Sequence, residues 1–471
     1  MSVAVLGNSV AALVATHRLA AEGVRTHLIS PSSHFGGHFA GLTIDGESFD
    51  LGMVLLEFTA FNASTDADIT SYRAEVRGDC GRFCSHIRRF VEVDLGIEIR
   101  RVETPSMVFG GEWSADLVIS NELAVLQQLG SDTAQRMREE LVVCTAHGRG
   151  ALHAAHKKRW SAADGPNFES VSRANHGPTF HELFIDPLCH KITGMSCSEV
   201  AARLHRGAWL PLYYPETLSA SLAAHPTALM STEFHAPSAG SVVTLVERLV
   251  ESVHASSSVD VTIDTLSELE PETDGAQLRL QSGRTLEVDH VVWALPPVAD
   301  DSTAEERASI GFGFVLVDSC YVNREFSTVH LLDDEYAAYR MTNQTAHQDG
   351  ESSRAQIVIE YNVDVMRTRS DTSAAVAAEI RRMLNGLRIV TSDVADVAIH
   401  IREFENVLPL PTVQNDRLHA DRARRRIAPP CVSYVGAAAP FGSTSLNDQI
   451  VQGLRLGEIL SHRQEVGTYA S

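Results

Sequence analysis

The sequence predicts an α/β fold, and three observations predict it. An apolar run, Val3 to Leu6, breaks at a small-residue turn into a helix ending near Glu22, and a second apolar run, Thr26 to Ile29, follows Gly23 as the next parallel strand of a βαβ unit would. The stretch 234–297 reads as helix, strand, hairpin and strand. The stretch 428–465 again sends a strand through small residues into a helix. At 471 residues and 44% apolar composition the chain can bury large cores in two or three domains.

Composition narrows the partners. Sixty acidic side chains against 39 basic ones give a formal charge of −21, which repels phosphate backbones and anionic membrane surfaces, so neither nucleic acid nor membrane is expected as a partner. Lysine occurs only at Lys157, Lys158 and Lys191, a bias that carries no mechanism. The seven cysteines (Cys80, Cys84, Cys144, Cys189, Cys197, Cys320 and Cys431) are an odd, dispersed set that suits reduced thiols. With no apolar run of membrane-spanning length and no secretory pattern at the start, a soluble, cytoplasmic protein acting on a small molecule is expected, its oligomeric state open.

The first turn is Gly7-x-Ser9-x-x-Ala12, a relaxed dinucleotide fingerprint in which small residues admit a pyrophosphate to the helix amino end. Any tight strand-to-helix turn could have this form. Its context is more specific: Gly36-Gly37-His38 follows the second strand, then Asp50-Leu51-Gly52-Met53. This order resembles the FAD-binding part of the amine oxidase, protoporphyrinogen oxidase, phytoene desaturase and UDP-galactopyranose mutase superfamily. The resemblance implies FAD contacts at Gly7, Asn8, Ser9, Val10, Ala11, Gly36, Gly37, His38, Gly52 and Met53. Two positions depart from the pattern. Ser30 stands where the family has a glutamate for the adenosine ribose, so that contact lacks charge assistance. His38 stands where many members carry arginine, and reads as a packing or phosphate contact and as a catalytic candidate.

Residues 59 to 232 lack βαβ rhythm and read as an inserted domain rich in amphipathic helices, for example Asn121 to Glu140 and Glu199 to Arg206. Phe180 to Gly194, with Pro187, Lys191 and Gly194, resembles a segment of the mutase-like and protoporphyrinogen oxidase-like members. His181, Cys189, His190 and Cys197 do not have zinc-finger spacing and read as buried cysteines with surface histidines, so no metal is expected; Cys80 and Cys84 read as core thiols one helical turn apart. Between Gly311 and Asn362, Phe314 to Val317, Val329 to Leu332 and Gln356 to Tyr361 read as strands of an antiparallel sheet. By resemblance, the mutase-like members place an arginine and a glutamate near the cofactor here. Arg340, after Tyr339, and Glu360 are thus catalytic candidates, although an arginine and a carboxylate on neighbouring strands more often form a structural pair.

In the second matching segment the strands Val259 to Ile263, Leu278 to Leu280 and His290 to Leu295 follow in order, and the resemblance puts the adenine near Leu266. In the third, Val432 to Gly436 precedes a helix opening near Ser445 and Leu446, whose positive end would face the flavin. Ala437, Ala438 and Ala439 follow Gly436 where the family commonly has an acid.

The resemblance therefore implies a discontinuous Rossmann-type FAD-binding domain from 1–58, 234–297 and 428–465. It also implies an inserted α+β substrate domain, an antiparallel sheet plus helices, from 59–233 and 298–427. The activity implied is FAD-dependent oxidation of a small-molecule C–N, C–O or C–C bond by hydride transfer. No cysteine stands where some members attach flavin, and no lysine follows residue 191, which argues against a standard monoamine or polyamine oxidase. The alternatives are a non-redox mutase resembling UDP-galactopyranose mutase and a degenerate flavin-binding scaffold, the latter suggested by Ser30 and Ala437.

Overall fold

The structure is a computed structural model that describes residues 1–59, 80–120, 122–157, 165–223, 232–296, 305–323, 327–391, 397–425, 429–438 and 445–468. At 59, 80–84, 147–157, 422–425, 437 and 463–468 the description is of the backbone, so the Cys80 and Cys84 thiols and the Ala437 side chain lie outside it, as does Ala439 entirely.

The chain divides into two compact units, the first formed by Met1–Arg100, His235–Ala299 and Ala423–Ser471, the second by Arg101–Phe234 and Asp300–Arg422. The first unit takes in more chain than residues 1–58 because Ile87, Phe90, Val91, Leu95 and Ile97 join the same core as Val5, Leu13 and Leu249.

Five strands make the sheet of the first unit, in the order Val259–Ile263, Arg25–Ser30, Ser2–Leu6, His290–Trp293, Val432–Tyr434. Every neighbouring pair is parallel. Val3, Ala4, Val5 and Leu6 are fully buried, as expected for a strand with helices and a second layer on its two faces. One face carries the helices Val10–Ala21 and Val243–Ala255, and the other packs on the antiparallel strands Leu266–Glu272, Gly275–Leu280 and Thr285–Val288. The chain turns to opposite sides of Ser2–Leu6 to reach its two neighbours, so the carboxyl ends of the strands form a topological switch point, where this class of sheet binds ligands.

Helix Leu446–Thr468 crosses the fingerprint helix Val10–Ala21 at close range. A Cβ on Gly453 would meet Val14 Cβ at 2.7 Å and the Ala11 carbonyl oxygen at 2.8 Å, and one on Gly457 would meet Arg18 Cβ at 2.7 Å.

The second unit is built on a seven-stranded sheet in the order Ala398–Pro409, Arg307–Asp318, Arg354–Asn362, Arg340–Asn343, Thr328–Leu331, Ser106–Phe109, Glu112–Ala115. It is antiparallel except where Val329–Leu331 runs parallel to Ser106–Val108. The expected strands are all present, with Phe314 to Val317 in the second half of a longer one, Arg307–Asp318. Helix Ser373–Gly386 buries Val376, Ile380, Met383 and Leu384 against this sheet.

Two helix expectations are corrected. Asn121 to Glu140 is not one helix: a short 3₁₀ segment, Ala124–Gln128, ends at Leu129 in extended backbone (ψ 139°), and after Gly130 the long helix Ser131–Lys157 begins. Glu199 to Arg206 is not α-helical, because the Ala201 N–H donates to the Pro411 carbonyl (2.9 Å) and the Ala202 N–H to that of Pro166 (3.1 Å). What remains is the 3₁₀ stretch Ala202–Ala208. Among the described residues no helix is long and apolar enough to cross a membrane.

The close helix crossing generates a prediction. Gly453→Val forces the helices apart and should cost about 1–3 kcal/mol of stability, read as a lower urea midpoint at unchanged slope. An unchanged midpoint would mean that the helices do not pack at this distance.

Candidate functional site

The first unit gathers its small-residue turns around the carboxyl ends of its strands. Gly7 has φ 126°, and its N–H donates to the Ile29 carbonyl (2.8 Å). A Cβ there would lie 3.1 Å from the Ala294 carbonyl carbon, so the turn needs glycine for its dihedral angles and for its packing. The Gly36 N–H donates to the Asn8 carbonyl (2.6 Å), Asn8 Nδ2 donates to the His34 carbonyl (2.7 Å), and Ser9 bridges Gly36 as one residue of parallel sheet. A side chain at Gly36 (φ 95°) would strike Val246, whereas Gly37 (φ 60°) faces open space. His38 is exposed and lies against the Phe39 ring, centroids 3.8 Å apart.

The amino end of helix Val10–Ala21 is capped by Ser9, whose Oγ accepts from the Ala12 N–H (3.3 Å). Gln449, on the last helix, accepts from the Ala11 N–H (3.3 Å), and Gln452 from the Gly436 N–H (2.8 Å). Gln449 has no counterpart in the motif reading, since nothing local in the sequence pairs it with Ala11. Both bonds to the fingerprint helix sit at the long end of hydrogen bonding.

Ser30 is fully buried. Its hydroxyl donates to the Ser32 carbonyl and accepts from the Ser32 N–H (3.3 Å), so a contact to a ribose would replace a local turn bond. Ser30 pairs in register with Ile263, and the Asp264 N–H donates to the Ser30 carbonyl (2.8 Å), which brings half-buried Leu266 near this strand end. Gly436 (φ 59°) packs against Ser9, with Ser9 Oγ 3.1 Å from where its Cβ would stand. Exposed Ser445 caps the last helix by accepting from the Asp448 N–H (3.1 Å), and buried Leu446 is that helix's first residue.

Gly52 is buried (φ 89°) and Met53 half-buried, directly after Asp50. Asp50 itself was not expected to matter. Its carboxylate accepts from the N–H groups of Val242 (3.2 Å) and Val243 (3.3 Å) at the start of helix Val243–Ala255. Burial pushes its pKa up to about 7, against the pull of those two amides and Ser241.

Arg340 and Glu360 lie in the second unit, and the structure brings them together. They are directly opposite on adjacent strands and joined by two hydrogen bonds, Nε to Oε1 (2.8 Å) and Nη2 to Oε2 (2.5 Å), with both side chains buried. The Trp209 ring stacks on the guanidinium, 4.7 Å to the centroid. Sequence reasoning missed the continuation of this row. His330 is opposite Arg340 on the next strand, and its Nδ1 is 3.1 Å from Asp116 Oδ1. Asp116 also accepts from the N–H groups of Val118 (2.9 Å), Ile119 (2.8 Å) and Ser120 (3.0 Å). Burial opposes its ionisation, but His330 and these amides outweigh burial and hold the carboxyl below its ordinary range. Asp116, His330, Arg340 and Glu360 thus form one buried row in which two acid–base pairs, Asp116 with His330 and Glu360 with Arg340, meet at their basic members. Lys191 is buried at the end of the His330 strand: its Nζ donates to the carbonyls of Leu331 (2.9 Å) and Asp333, and burial pushes its pKa down to about 7 against Asp334 and Asp333.

The comparisons decide the fold. A reduced UDP-galactopyranose mutase superposes with a TM-score of 0.70 over 98% of this chain and 96% of its own, at 13% identity. The chain has the fold of the amine-oxidase-like flavoproteins. A putrescine oxidase bound to putrescine matches at 0.61 over 99% of both chains and 12% identity. A cyclohexylamine oxidase from Brevibacterium oxydans matches at 0.59 over 98% and 99%, also at 12% identity. No protein-family profile and no curated protein matches the sequence. Within this fold the Rossmann-like parallel sheet and the separate, mostly antiparallel sheet correspond to the α/β class expected from sequence.

Two predictions follow from these geometries. Glu360→Gln leaves the Arg340 charge buried without its counterion and should cost about 3–5 kcal/mol in urea unfolding, most of it regained in the double variant Arg340→Met, Glu360→Leu. An unaffected single variant would mean that the pair is solvated.

For Asp50 the window lies between the ordinary carboxylate range near pH 4 and about 7. There the folded chain keeps a proton that the unfolded chain has released, so stability falls as pH rises and levels off above the window. Asp50→Asn should remove this component from the melting temperature profile. A parallel profile would show Asp50 titrating normally.

Proposed function

We propose that the first unit binds FAD at the carboxyl ends of its parallel strands and that the protein is an FAD-dependent oxidoreductase acting on a small molecule. The observation that carries this reading is the convergence, within one unit, of Gly7, the amino end of helix Val10–Ala21, the Gly36–Gly37 turn, Ser30 and Gly436. The residues fit the cofactor. The helix end offers a partial positive charge to a pyrophosphate, Gly37 leaves space beside the main chain, and the acceptors on the Ala11 and Ala12 amides are side chains at the long end of hydrogen bonding.

In this reading Asn8, Ser9, Val10 and Ala11 hold the phosphates and Ser30 and Leu266 the adenosine. Gly52, Met53, Ser445 and Leu446 take the flavin end, and His38 a phosphate or the substrate. Bound FAD would accept a hydride from a substrate C–H next to nitrogen or oxygen. The segments 59–233 and 298–427 would then form the substrate domain, with Arg340 and Glu360 its polar anchor. Of the two, Arg340 is the group able to hold an anionic substrate, because its planar cation is fixed in place by Glu360 and Trp209.

A second reading, non-redox sugar-nucleotide mutase chemistry on reduced FAD, draws on one specific observation: the full-length likeness to UDP-galactopyranose mutase at a TM-score of 0.70. The fold is common to both chemistries.

Purified protein should carry the visible band of oxidised flavin or acquire it on incubation with FAD. Added FAD should then stabilise the fold by about 2.7 kcal/mol at a hundredfold excess over Kd. A colourless protein whose melting temperature ignores FAD would overturn the cofactor assignment and favour a scaffold without turnover. For the reaction, bleaching of the flavin by an amine or alcohol without oxygen supports oxidation. Turnover of a sugar nucleotide only after dithionite reduction supports the mutase reading.

A further inference from the structure

The turn that opens the segment Phe180 to Gly194 is wider than an α-helical one. His181–Ile185 forms a π-helical turn, in which the Asp186 N–H donates to the His181 carbonyl, so residues five apart come to lie over one another. Helix Asp186–Thr193 then ends at Gly194 in the left-handed conformation, and the chain doubles back to carry Cys197 towards the start of that helix. As a result one ligand atom each from His181, Asp186 and Cys197 lie within 4.8 Å of one another. His181, expected at the surface, is fully buried; His190 is exposed as expected.

The histidine is aimed at this cluster with its second nitrogen already engaged. His181 Nδ1 is 2.9 Å from Ser172 Oγ, while Nε2 is buried and has no hydrogen-bond partner among the described residues. A chain of hydrogen bonds defines the tautomer of His176 and leaves His181 one that suits a cation. The Tyr213 N–H donates to His176 Nε2 (2.8 Å), so His176 carries its proton on Nδ1 and gives it to Ser172 Oγ (3.0 Å). The same oxygen has a second lone pair for the Nδ1–H of His181. In that arrangement His181 presents a bare Nε2 lone pair to the cluster, the tautomer and outer-sphere support that a metal-bound histidine has.

We propose that His181 Nε2, Cys197 Sγ and an Asp186 carboxylate oxygen form a binding site for a zinc-type divalent cation. Cys189, in hydrogen-bond contact with Cys197, or a water supplies the fourth position. The donor set is nitrogen, sulfur and oxygen, which suits a borderline-soft cation and excludes calcium and magnesium. Around tetrahedral zinc, neighbouring donor atoms lie about 3.5 Å apart, so the cluster closes by roughly 1 Å of side-chain rotation. On binding, the cation takes the sulfur as thiolate and the displaced proton leaves to solvent past exposed Asp186. The site clips the π-helical turn to the segment after Gly194, fixing the helix between them.

Zinc(II) and cobalt(II) added singly to chelator-stripped, full-length protein test the assignment. We expect one zinc per chain in competition with a chromogenic chelator. In difference spectra, which cancel any flavin background, cobalt should give a thiolate charge-transfer band with tetrahedral d–d bands. Cys197→Ser and His181→Gln should each weaken zinc binding by on the order of 100-fold, and Cys197→Ser should abolish the charge-transfer band. Ser172→Ala and the surface variant Asp186→Asn should each cost about 10-fold, and they decide the matter if the core variants do not fold. Cys320→Ser, at an exposed thiol, should change nothing. Less than a tenth of an equivalent of zinc, a signal lost in Cys320→Ser instead of Cys197→Ser, or unchanged affinity in Ser172→Ala and Asp186→Asn would overturn the proposal.

Discussion

The close crossing of the fingerprint helix and the last helix is the constraint on which the first unit depends. Two glycines, Gly453 and Gly457, let the backbones touch, and only at that separation can Gln449 reach the Ala11 amide and Gln452 the Gly436 amide. Residues 438 positions apart in sequence are thereby joined at one turn. Ordering so long a loop is expensive in chain entropy only once, because the loop folds into structure of its own. The same crossing lies beside Gly436, which packs against Ser9 of the first turn.

Much of this first unit could be read in the sequence, for a physical reason. A strand buried on both faces must be an unbroken apolar run, and a turn in which main chain approaches main chain must be small. Val3 to Leu6 and Gly7 therefore announce themselves locally. The Gln449 contact, the Ser30 hydroxyl bound into its own turn and the Asp50 cap on helix Val243–Ala255 do not, since each depends on a partner whose position is set by tertiary packing. The helices expected at Asn121 to Glu140 and Glu199 to Arg206 failed on the same count. Apolar spacing was right, but Gly130 and the amide bonds of Ala201 and Ala202 to Pro411 and Pro166 determined where helix could begin.

In the second unit the strands were legible and the charges between them were not. Arg340 and Glu360 could be nominated from the resemblance of their stretch, but not their register, and a shift of one residue would have sent them to opposite faces. Nor could Asp116 be linked to His330, which lies 214 positions later and meets it only because Thr328–Leu331 pairs with Ser106–Phe109. A buried pair such as Arg340 and Glu360 is costly to assemble and strict about its members, since each charge relies on the other for compensation.

The wide turn at His181–Ile185 sets the phase of everything after it on that helix. Each residue advances an α-helix by about 100°, so one residue too many in a single turn reassigns the faces of Asp186–Thr193. Lys191 points its ammonium group at the carbonyls of Leu331 and Asp333 because of that offset. Shortening the turn by one residue would restore regular winding and carry the lysine around the barrel of the helix, leaving two strand carbonyls facing a different side chain. The address of a buried cation is thus written in a miscounted turn upstream of it.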